Sequence, residues 1–439
     1  MSVMLSKVLP FMSKCLQRNG GSSSGWEAPL RAAGLGTLLK LLSAAMAFCS
    51  SIVFARALGA SEFGVYSFVN AWVSLLAILA GLGFPQYLIR EGVQAPHCLA
   101  WMRTFADQRA FLCGGVCALV LVIFGTLAQL RFDSHIFLAA APLPLLLALS
   151  SVRQALLQAQ GWLVRSQWPS LLLIPTVSFL LCSVLWLSQG GVSAAQLMSI
   201  STISAAIALL INHLQFRQAV SPKVSQEAAA LRVGQAFPFM LLACTYFVSS
   251  RIDLIMLGIN SKPQELGIYS VSSRAAELLV FLSMASVTAV APSFARLLAS
   301  KKKDELQLLV TSLGRRLALL TVPPALIIFI FAPQLVPLIY GHSYAEGATI
   351  LQILIVAQLV AVLGGPLGTL LNMSGNEKSH LFGVALGVLL NILLNTLLSP
   401  RYGAIGAAIA TCGSILFSRV VLLLQVRQRL DIRPTVLGV

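Results

Sequence analysis

Charged residues are scarce in this sequence: they make up 10% of its 439 residues, and Asp and Glu together number 14. Such a chain has too little polar side-chain area to coat a soluble globule, which excludes the soluble classes of enzyme and binding protein. The five histidines and eight cysteines are scattered without metal-site spacing, so no metal or other cofactor is expected. A soluble basic domain for nucleic acid is also missing, although the formal net charge is +16.

Long apolar segments, by contrast, are abundant. Hydrophobic residues form 57% of the chain, and twelve windows are long and apolar enough to cross a hydrocarbon core of about 30 Å as helices. The sequence therefore predicts an all-α integral membrane protein with about twelve transmembrane helices. The predicted spans cover approximately residues 34–57, 65–88, 110–130, 136–157, 168–188, 194–214, 234–257, 267–295, 315–340, 346–371, 380–399 and 403–425.

The basic residues fall unevenly among the loops. If both termini are cytoplasmic, 23 of the 30 Lys and Arg residues lie in cytoplasmic segments. The positive-inside rule then predicts that orientation, and the net charge reports mainly membrane topology. The external loops and helix ends hold Arg56, Arg131, Arg251, Lys262 and Arg401.

The chain contains an internal repeat. The hexad "EFGVYS" at 62–67 returns as "ELGIYS" at 265–270, and further pairs follow in the same order, among them "LSQGGVSAA" at 187–195 with "LSPRYGAIGAA" at 398–408. Because each half holds an even number of spans, the halves share one orientation and can enclose a central cleft. The predicted domains are a cytoplasmic tail (1–33), a six-helix bundle (34–216), a cytoplasmic linker (217–233), a second six-helix bundle (234–425) and a cytoplasmic tail (426–439).

Both copies of the repeat carry Leu-Gly before the hexad, so Gly59 and Gly258 are predicted helix C-caps. Within the hexads, Gly64 and Gly267 are expected to shape an interface turn. Tyr66 and Tyr269 are expected to anchor their rings at the membrane interface rather than to touch substrate.

Together with these hexads, "RIDLIMLG" at 251–258 and "RYGAIGAAIAT" at 401–411 resemble the polysaccharide-repeat flippases of the multidrug/oligosaccharidyl-lipid/polysaccharide exporter superfamily. The resemblance covers most of residues 30–425. It implies a bacterial inner-membrane protein, not an enzyme, that carries polyprenyl-pyrophosphate-linked oligosaccharide to the periplasmic leaflet for O-antigen, capsule or exopolysaccharide assembly. The implied partners are that lipid-linked oligosaccharide, membrane lipids, and a polysaccharide polymerase with its chain-length machinery.

Charges inside the spans are the candidate site residues, because each one in the bilayer needs a partner, water or a function. Lys40 lies on a small, partly polar stripe and either contacts substrate phosphate or snorkels to the cytoplasmic interface. Arg274 is a second candidate for binding substrate. Glu277, three residues further along the same helix, is expected to pair with Arg274 or to take part in coupling or gating.

Arg251 and Asp253 lie in the outer third of the seventh predicted span. Two residues on a helix are separated by about 200°, so the pair cannot share a face, and at least one is expected to point into the cleft. When Gly59 is aligned with Gly258, the first half has Ile52 and Phe54 at these places. The asymmetry favours Arg251 as a contact for pyrophosphate or glycan, and Asp253 as a coupling group or the partner of a base; snorkelling at the interface is the alternative.

Two other functions remain as alternatives. A multidrug or toxin antiporter of the same superfamily would bind cations through buried carboxylates, but the predicted spans hold more basic than acidic candidates. A membrane-embedded glycosyltransferase or polymerase would need a sizeable loop with clustered carboxylates, and the longest connections here have about 20 residues.

Overall fold

The computed structural model describes residues 27–95, 98–127, 133–219, 233–300 and 302–434. Most of the predicted N-terminal tail and linker, and Arg131, lie outside these ranges. Within them the backbone forms helices and turns without a strand, which confirms the predicted all-α class. The α-helices are α1 (Glu27–Ala80), α2 (Phe84–Gln94), α3 (Leu99–Leu127), α4 (Ser134–Ala140), α5 (Leu143–Ala159), α6 (Leu163–Trp168), α7 (Ile174–Gln189), α8 (Ala194–Ala219), α9 (Val233–Asn260), α10 (Pro263–Ala299), α11 (Lys303–Tyr340), α12 (Gly347–Leu363), α13 (Leu367–Met373) and α14 (Glu377–Leu430).

Two of these helices are long enough to cross the membrane twice. Helices α1 and α14 each contain 54 residues, or about 81 Å if straight, roughly twice the thickness of a bilayer. Each is broken by a glycine at positive φ, Gly59 (74°) in α1 and Gly403 (54°) in α14, a conformation that side chains with a Cβ rarely adopt. Gly59 therefore ends the first predicted span, as expected.

Nine helices in the described ranges are long and apolar enough to cross a membrane, counting each broken helix once. The total of twelve spans stays a prediction.

Gly258 departs from its prediction. Helix α9 continues through it to Asn260, so Gly258 is not a C-cap. A Cβ at this position would lie 2.2 Å from a ring carbon of Phe68 in α1. The second Leu-Gly pair therefore serves close packing between helices, a role that depends on a neighbour far away in the sequence.

The helices form two bundles, here called the first half (α1–α8) and the second half (α9–α14). Helix α1 packs against α3, α5 and α7 in the first half, and α12 packs against α10, α11 and α14 in the second. The main contact between the halves is the crossing of α1 with α10. The two halves thus pack around a shared centre, as predicted, whereas the number of six spans in each half stays a prediction.

The two hexads form the centre of that crossing. A Cβ on Gly64 would lie 1.9 Å from the carbonyl oxygen of Pro263, and a Cβ on Gly267 would lie 1.9 Å from that of Ala60. Each glycine thus meets the backbone four residues before the other glycine, a reciprocal contact expected for pseudo-twofold symmetry. The prediction that these glycines shape a turn is wrong: they allow two helix backbones to touch, because hydrogen is the only side chain that fits.

Further contacts join the halves near the hexads, at the end of the molecule called here the hexad end. Arg56 donates hydrogen bonds to the carbonyl oxygens of Leu338 (2.5 Å) and Ile339 (2.8 Å) at the end of α11. The hydroxyl of Tyr344 donates to the carbonyl oxygen of Ala55 at 2.9 Å. These bonds satisfy carbonyls that a helix end or a kink leaves without an intrahelical partner.

At the opposite end, called here the tail end because the described chain begins and finishes there, the halves also touch. The hydroxyl of Tyr87 donates to Gln235 at 2.6 Å. Gly83, with φ 73°, lets the turn before α2 approach α9 so closely that a Cβ would lie 2.3 Å from the carbonyl oxygen of Ala236. The central region of the molecule therefore lies between two separate sets of contacts between the halves.

Candidate functional site

The glutamate that begins each hexad, Glu62 or Glu265, caps a helix in its own half. The backbone N–H of Ala194 donates to Glu62 at 2.7 Å, and that of Ala404 donates to Glu265 at 3.2 Å. These amides begin α8 and the second segment of α14, where backbone N–H groups lack an intrahelical acceptor and a negative charge is favoured. Both copies of the repeat therefore use this glutamate as a helix cap.

Weakening either cap should destabilise the protein by about 1 kcal/mol, because glutamine replaces the charge-assisted hydrogen bond that the carboxylate accepts with a neutral one. We expect Glu62→Gln and Glu265→Gln each to lower the midpoint of thermal unfolding of the purified protein. Glu346→Gln is the matched control, since Glu346 precedes α12 without making a side-chain cap hydrogen bond. Equal midpoints for all three variants would contradict the capping role.

The tyrosines of the hexads are buried inside their halves, with Tyr66 7% and Tyr269 1% exposed. The hydroxyl of Tyr66 lies 3.3 Å from that of Ser201 in α8, and the hydroxyl of Tyr269 lies 3.3 Å from that of Thr411 in α14. Tyr269 also donates to Asp253. The predicted interface anchoring is wrong, because these rings fill the core between helices rather than face the headgroups.

A cavity of about 130 Å³ lies between the halves, beside the hexads. Its walls come from the second segment of α1 in the first half, and from α9 and α10 in the second. The site residues predicted from the sequence that line it include Arg251, Asp253 and Arg274. The remaining lining residues are Ser67, Asn70, Ala71, Ser74, Phe247, Leu254, Tyr269, Ser270 and Ser273.

Arg251 is held by an ion pair with Glu277. Its guanidinium lies 3.1 Å from one carboxylate oxygen and 3.3 Å from the other, which joins α9 to α10. Both side chains remain partly exposed, at 34% and 43%. The predicted pairing of Glu277 with Arg274 is therefore wrong: Glu277 pairs with Arg251 of the neighbouring helix rather than with the base three residues before it on its own helix.

Arg274 is left without such a partner. Its side chain is partly buried and lines the cavity, and it makes no hydrogen bond or ion pair with any other residue in the described ranges. A guanidinium in a membrane interior needs an opposite charge or water. The cavity thus presents an uncompensated cation with five N–H donors, which suits an oxyanion.

Asp253 is 8% exposed and accepts hydrogen bonds from the hydroxyl of Tyr269, the hydroxyl of Thr411 (3.3 Å) and the backbone N–H of Leu254 (2.8 Å). No ion pair joins it to a base within the described residues. The prediction that it orients a basic partner is wrong, because hydroxyl and amide donors already occupy its oxygens. Its predicted part in coupling stays a prediction.

A chain of polar side chains leads from Asp253 on α9 to α14 within the second half, and it was not predicted from the sequence. Asn391 donates to Thr411 at 3.5 Å, Asn395 donates to Asn391 at 2.9 Å, and Ser399 donates to Asn395 at 3.0 Å. The signal was present as three polar residues at intervals of four in an apolar span, which places them on one helix face. The sequence does not show which residue this face contacts. In the structure that residue is Thr411, which in turn donates to Asp253.

Lys40 lies apart from this cavity. It is exposed on the first segment of α1, 19 residues and thus about 28 Å from the break at Gly59. The neighbouring Leu38 and Leu42 are also exposed, at 50% and 47%. Its predicted contact with substrate phosphate stays a prediction.

A larger cavity, of about 780 Å³, lies at the hexad end. Its lining comes from the second half alone, between the turn that joins α9 to α10 and the break in α14 near Gly403. Because the first half contributes nothing to it, this cavity cannot respond to motion between the halves in the way that the central one can.

Solved structures with this fold are membrane transporters. "Lipid II flippase MurJ, inward closed conformation" matches with a TM-score of 0.69 and 14% identity over 90% of this chain and 87% of that chain. An inward-facing multidrug resistance MATE family transporter of the MOP superfamily matches with a TM-score of 0.69 and 12% identity, over 90% and 98%. A MOP superfamily transporter from Pyrococcus furiosus matches with a TM-score of 0.63 and 13% identity, over 93% and 99%.

The chain therefore shares the fold of these transporters, with a cavity lined by arginine between its two halves. More narrowly, residues 53–349 match the family described as "Polysaccharide biosynthesis protein", and since this is more than half of the chain, the protein belongs to that family. The predicted resemblance is thereby confirmed. No curated protein sequence shows significant similarity to the chain.

Proposed function

We propose that this transporter is a flippase for polyprenyl-pyrophosphate-linked oligosaccharide in the bacterial inner membrane, serving O-antigen, capsule or exopolysaccharide synthesis. The observation that carries the proposal is the unpaired guanidinium of Arg274 in a cavity between the two halves. A lipid-linked diphosphate is an anion that must cross the hydrocarbon core, and a fixed, uncompensated cation offsets the cost of taking it there.

Motion between the halves would expose the cavity to one side at a time. The contacts at the hexad end and those at the tail end are built from different residues, so each set can open while the other stays closed. We place the hexad end in the periplasm and both termini in the cytoplasm, because the tail end carries most of the basic residues. Transport then consists of rocking about the crossing of α1 and α10.

Arg251 would act as a second contact for the diphosphate, one that the ligand gains when it competes with Glu277 for the guanidinium. Release of Glu277 from Arg251 would then report occupancy of the cavity. Asp253, tied to Tyr269 in the second half, would serve as the coupling group. A polysaccharide polymerase and its chain-length machinery would consume the delivered glycan, since they act on the periplasmic side.

The experiment that tests this function follows delivery of the glycan in cells. In a strain whose own flippase for a defined lipid-linked oligosaccharide is deleted, expression of this protein should make the glycan accessible to an impermeant glycosidase added to spheroplasts. Arg401→Ala is the control for substitutions of arginines in the central cavity and should leave delivery unchanged. This exposed arginine lines the hexad-end cavity and not the central one. Extrusion of organic cations with no glycan delivery would instead favour the antiporter.

A further inference from the structure

We infer that Ser67 and Ser270, the last residues of the two hexads, form with Arg274 a binding site for one phosphate group between the halves. The inference rests on the proposed function and specifies which part of the substrate this cavity holds. Both serines line the cavity, one from each half.

The hydroxyls of Ser67 and Ser270 are buried and stabilise the described part of the fold through no hydrogen bond. Ser67 is 3% exposed and Ser270 is 5% exposed, and neither side-chain oxygen has a hydrogen-bond partner among the described residues. Other buried serines on these helices behave differently: the hydroxyl of Ser272 donates to the carbonyl oxygens of Ile268 (3.0 Å) and Gly347 (2.9 Å). Because buried hydroxyls are nearly always paired, two orphans at equivalent places of a repeat indicate a missing ligand.

The chemistry of the site selects an oxyanion. The Oγ atoms of both serines have almost no accessible surface in the unliganded fold, so each hydroxyl would turn about χ1 to donate into the cavity. Arg274 adds a planar fork of N–H donors and the positive charge. The carboxylates nearby are already engaged, Asp253 by Tyr269 and Glu277 by Arg251, which reduces their repulsion of an anion. The volume of the cavity, about 130 Å³, is close to that of an engineered core cavity of about 150 Å³ that binds benzene. A tetrahedral phosphate is no larger than benzene.

The repeat explains how the two serines come to line one cavity. Ser67 and Ser270 each follow their hexad glycine by three residues, within one helical turn of the backbone contact between Gly64 and Gly267. Since each half supplies one hydroxyl, a phosphate bound by both would hold the halves together. Separation of the halves would leave it with Arg274 and one serine, and so would weaken its binding.

The test uses the full-length purified protein and farnesyl diphosphate as the probe, with binding measured by calorimetry. We expect Ser67→Ala and Ser270→Ala each to weaken binding about 3- to 10-fold, and the double variant to weaken it further. Because the hydroxyls lack partners in the unliganded fold, the midpoint of thermal unfolding without probe should stay the same or rise. Ser272→Ala is the matched control on α10 and should lower the midpoint with little effect on affinity.

Three outcomes separate the inference from the proposed function. Unchanged affinity in both serine variants, together with weak binding by Arg274→Ala, would overturn the serine site and leave the flippase proposal intact. A midpoint lowered as far as in Ser272→Ala would show that the hydroxyls are structural, which also overturns the inference. A wild-type protein that binds no diphosphate would contradict the proposed function itself.

Discussion

Replacing Arg274 by alanine should reduce the rate of glycan delivery about 10- to 100-fold at equal protein level. A hydrogen bond to a charged group is worth about 1.5–3 kcal/mol, and each 1.4 kcal/mol corresponds to a factor of ten. The full value should be lost here, because Arg274 has no partner in the described residues that would keep it from the ligand. The measurement is the initial rate of glycan exposure to the impermeant glycosidase.

Two other substitutions sharpen this result. Arg274→Lys should restore part of the rate, since it keeps the charge and loses the planar fork. Arg251→Ala should cost less than Arg274→Ala, because Glu277 already neutralises Arg251 in the unliganded protein. A normal rate of glycan delivery by Arg274→Ala would show that the substrate does not pass through this cavity.

Adding a single methyl group at the centre of the crossing should also have a large effect. In Gly64→Ala or Gly267→Ala the new Cβ would meet a backbone carbonyl oxygen at 1.9 Å, and backbone cannot move aside as a flexible side chain can. Overpacking of this kind costs about 1–3 kcal/mol. We expect a lower midpoint of thermal unfolding and slower transport in both variants, with Gly64→Leu more severe.

The control for these variants is Gly115→Ala, because a Cβ on Gly115 of α3 would have no neighbouring atom within 4 Å. Alanine is favoured over glycine by about 1 kcal/mol inside a helix, so this control should be neutral or more stable. The opposite signs expected for Gly64 and Gly115 make the comparison independent of helix propensity. A Gly64→Ala protein as stable and active as the control would contradict the backbone contact.

Much of the architecture could be predicted from the sequence, because long apolar segments identify membrane helices. The duplication of "EFGVYS" also predicted two like halves correctly, since a repeated sequence in an even number of spans leaves few arrangements. The individual roles in the hexad were harder to predict. Gly64 and Tyr66 depend on which helix lies opposite them, and nothing local distinguishes a glycine in a turn from a glycine at a crossing.

The candidate site shows the same division. Arg251, Asp253 and Arg274 could be selected from the sequence, because charges in a span are expensive and therefore few. Their partners could not be selected: Glu277 is three residues from Arg274 in the chain and pairs with Arg251 on another helix. The serines Ser67 and Ser270 escaped notice because a buried serine normally bonds to its own helix, and only the structure shows a hydroxyl that does not.

The most direct test is transport by the purified protein reconstituted into liposomes. Lipid-diphosphate-linked oligosaccharide would be included in both leaflets, and an impermeant glycosidase outside would first consume the outer pool. We expect the wild-type protein to bring the inner pool to the enzyme rapidly, and Arg274→Ala liposomes to retain about half of the glycan, the share of one leaflet in a symmetric bilayer. Retention of the inner pool by wild-type liposomes, at a protein content that gives every liposome several copies in either orientation, would contradict the assignment as a flippase for lipid-linked oligosaccharide.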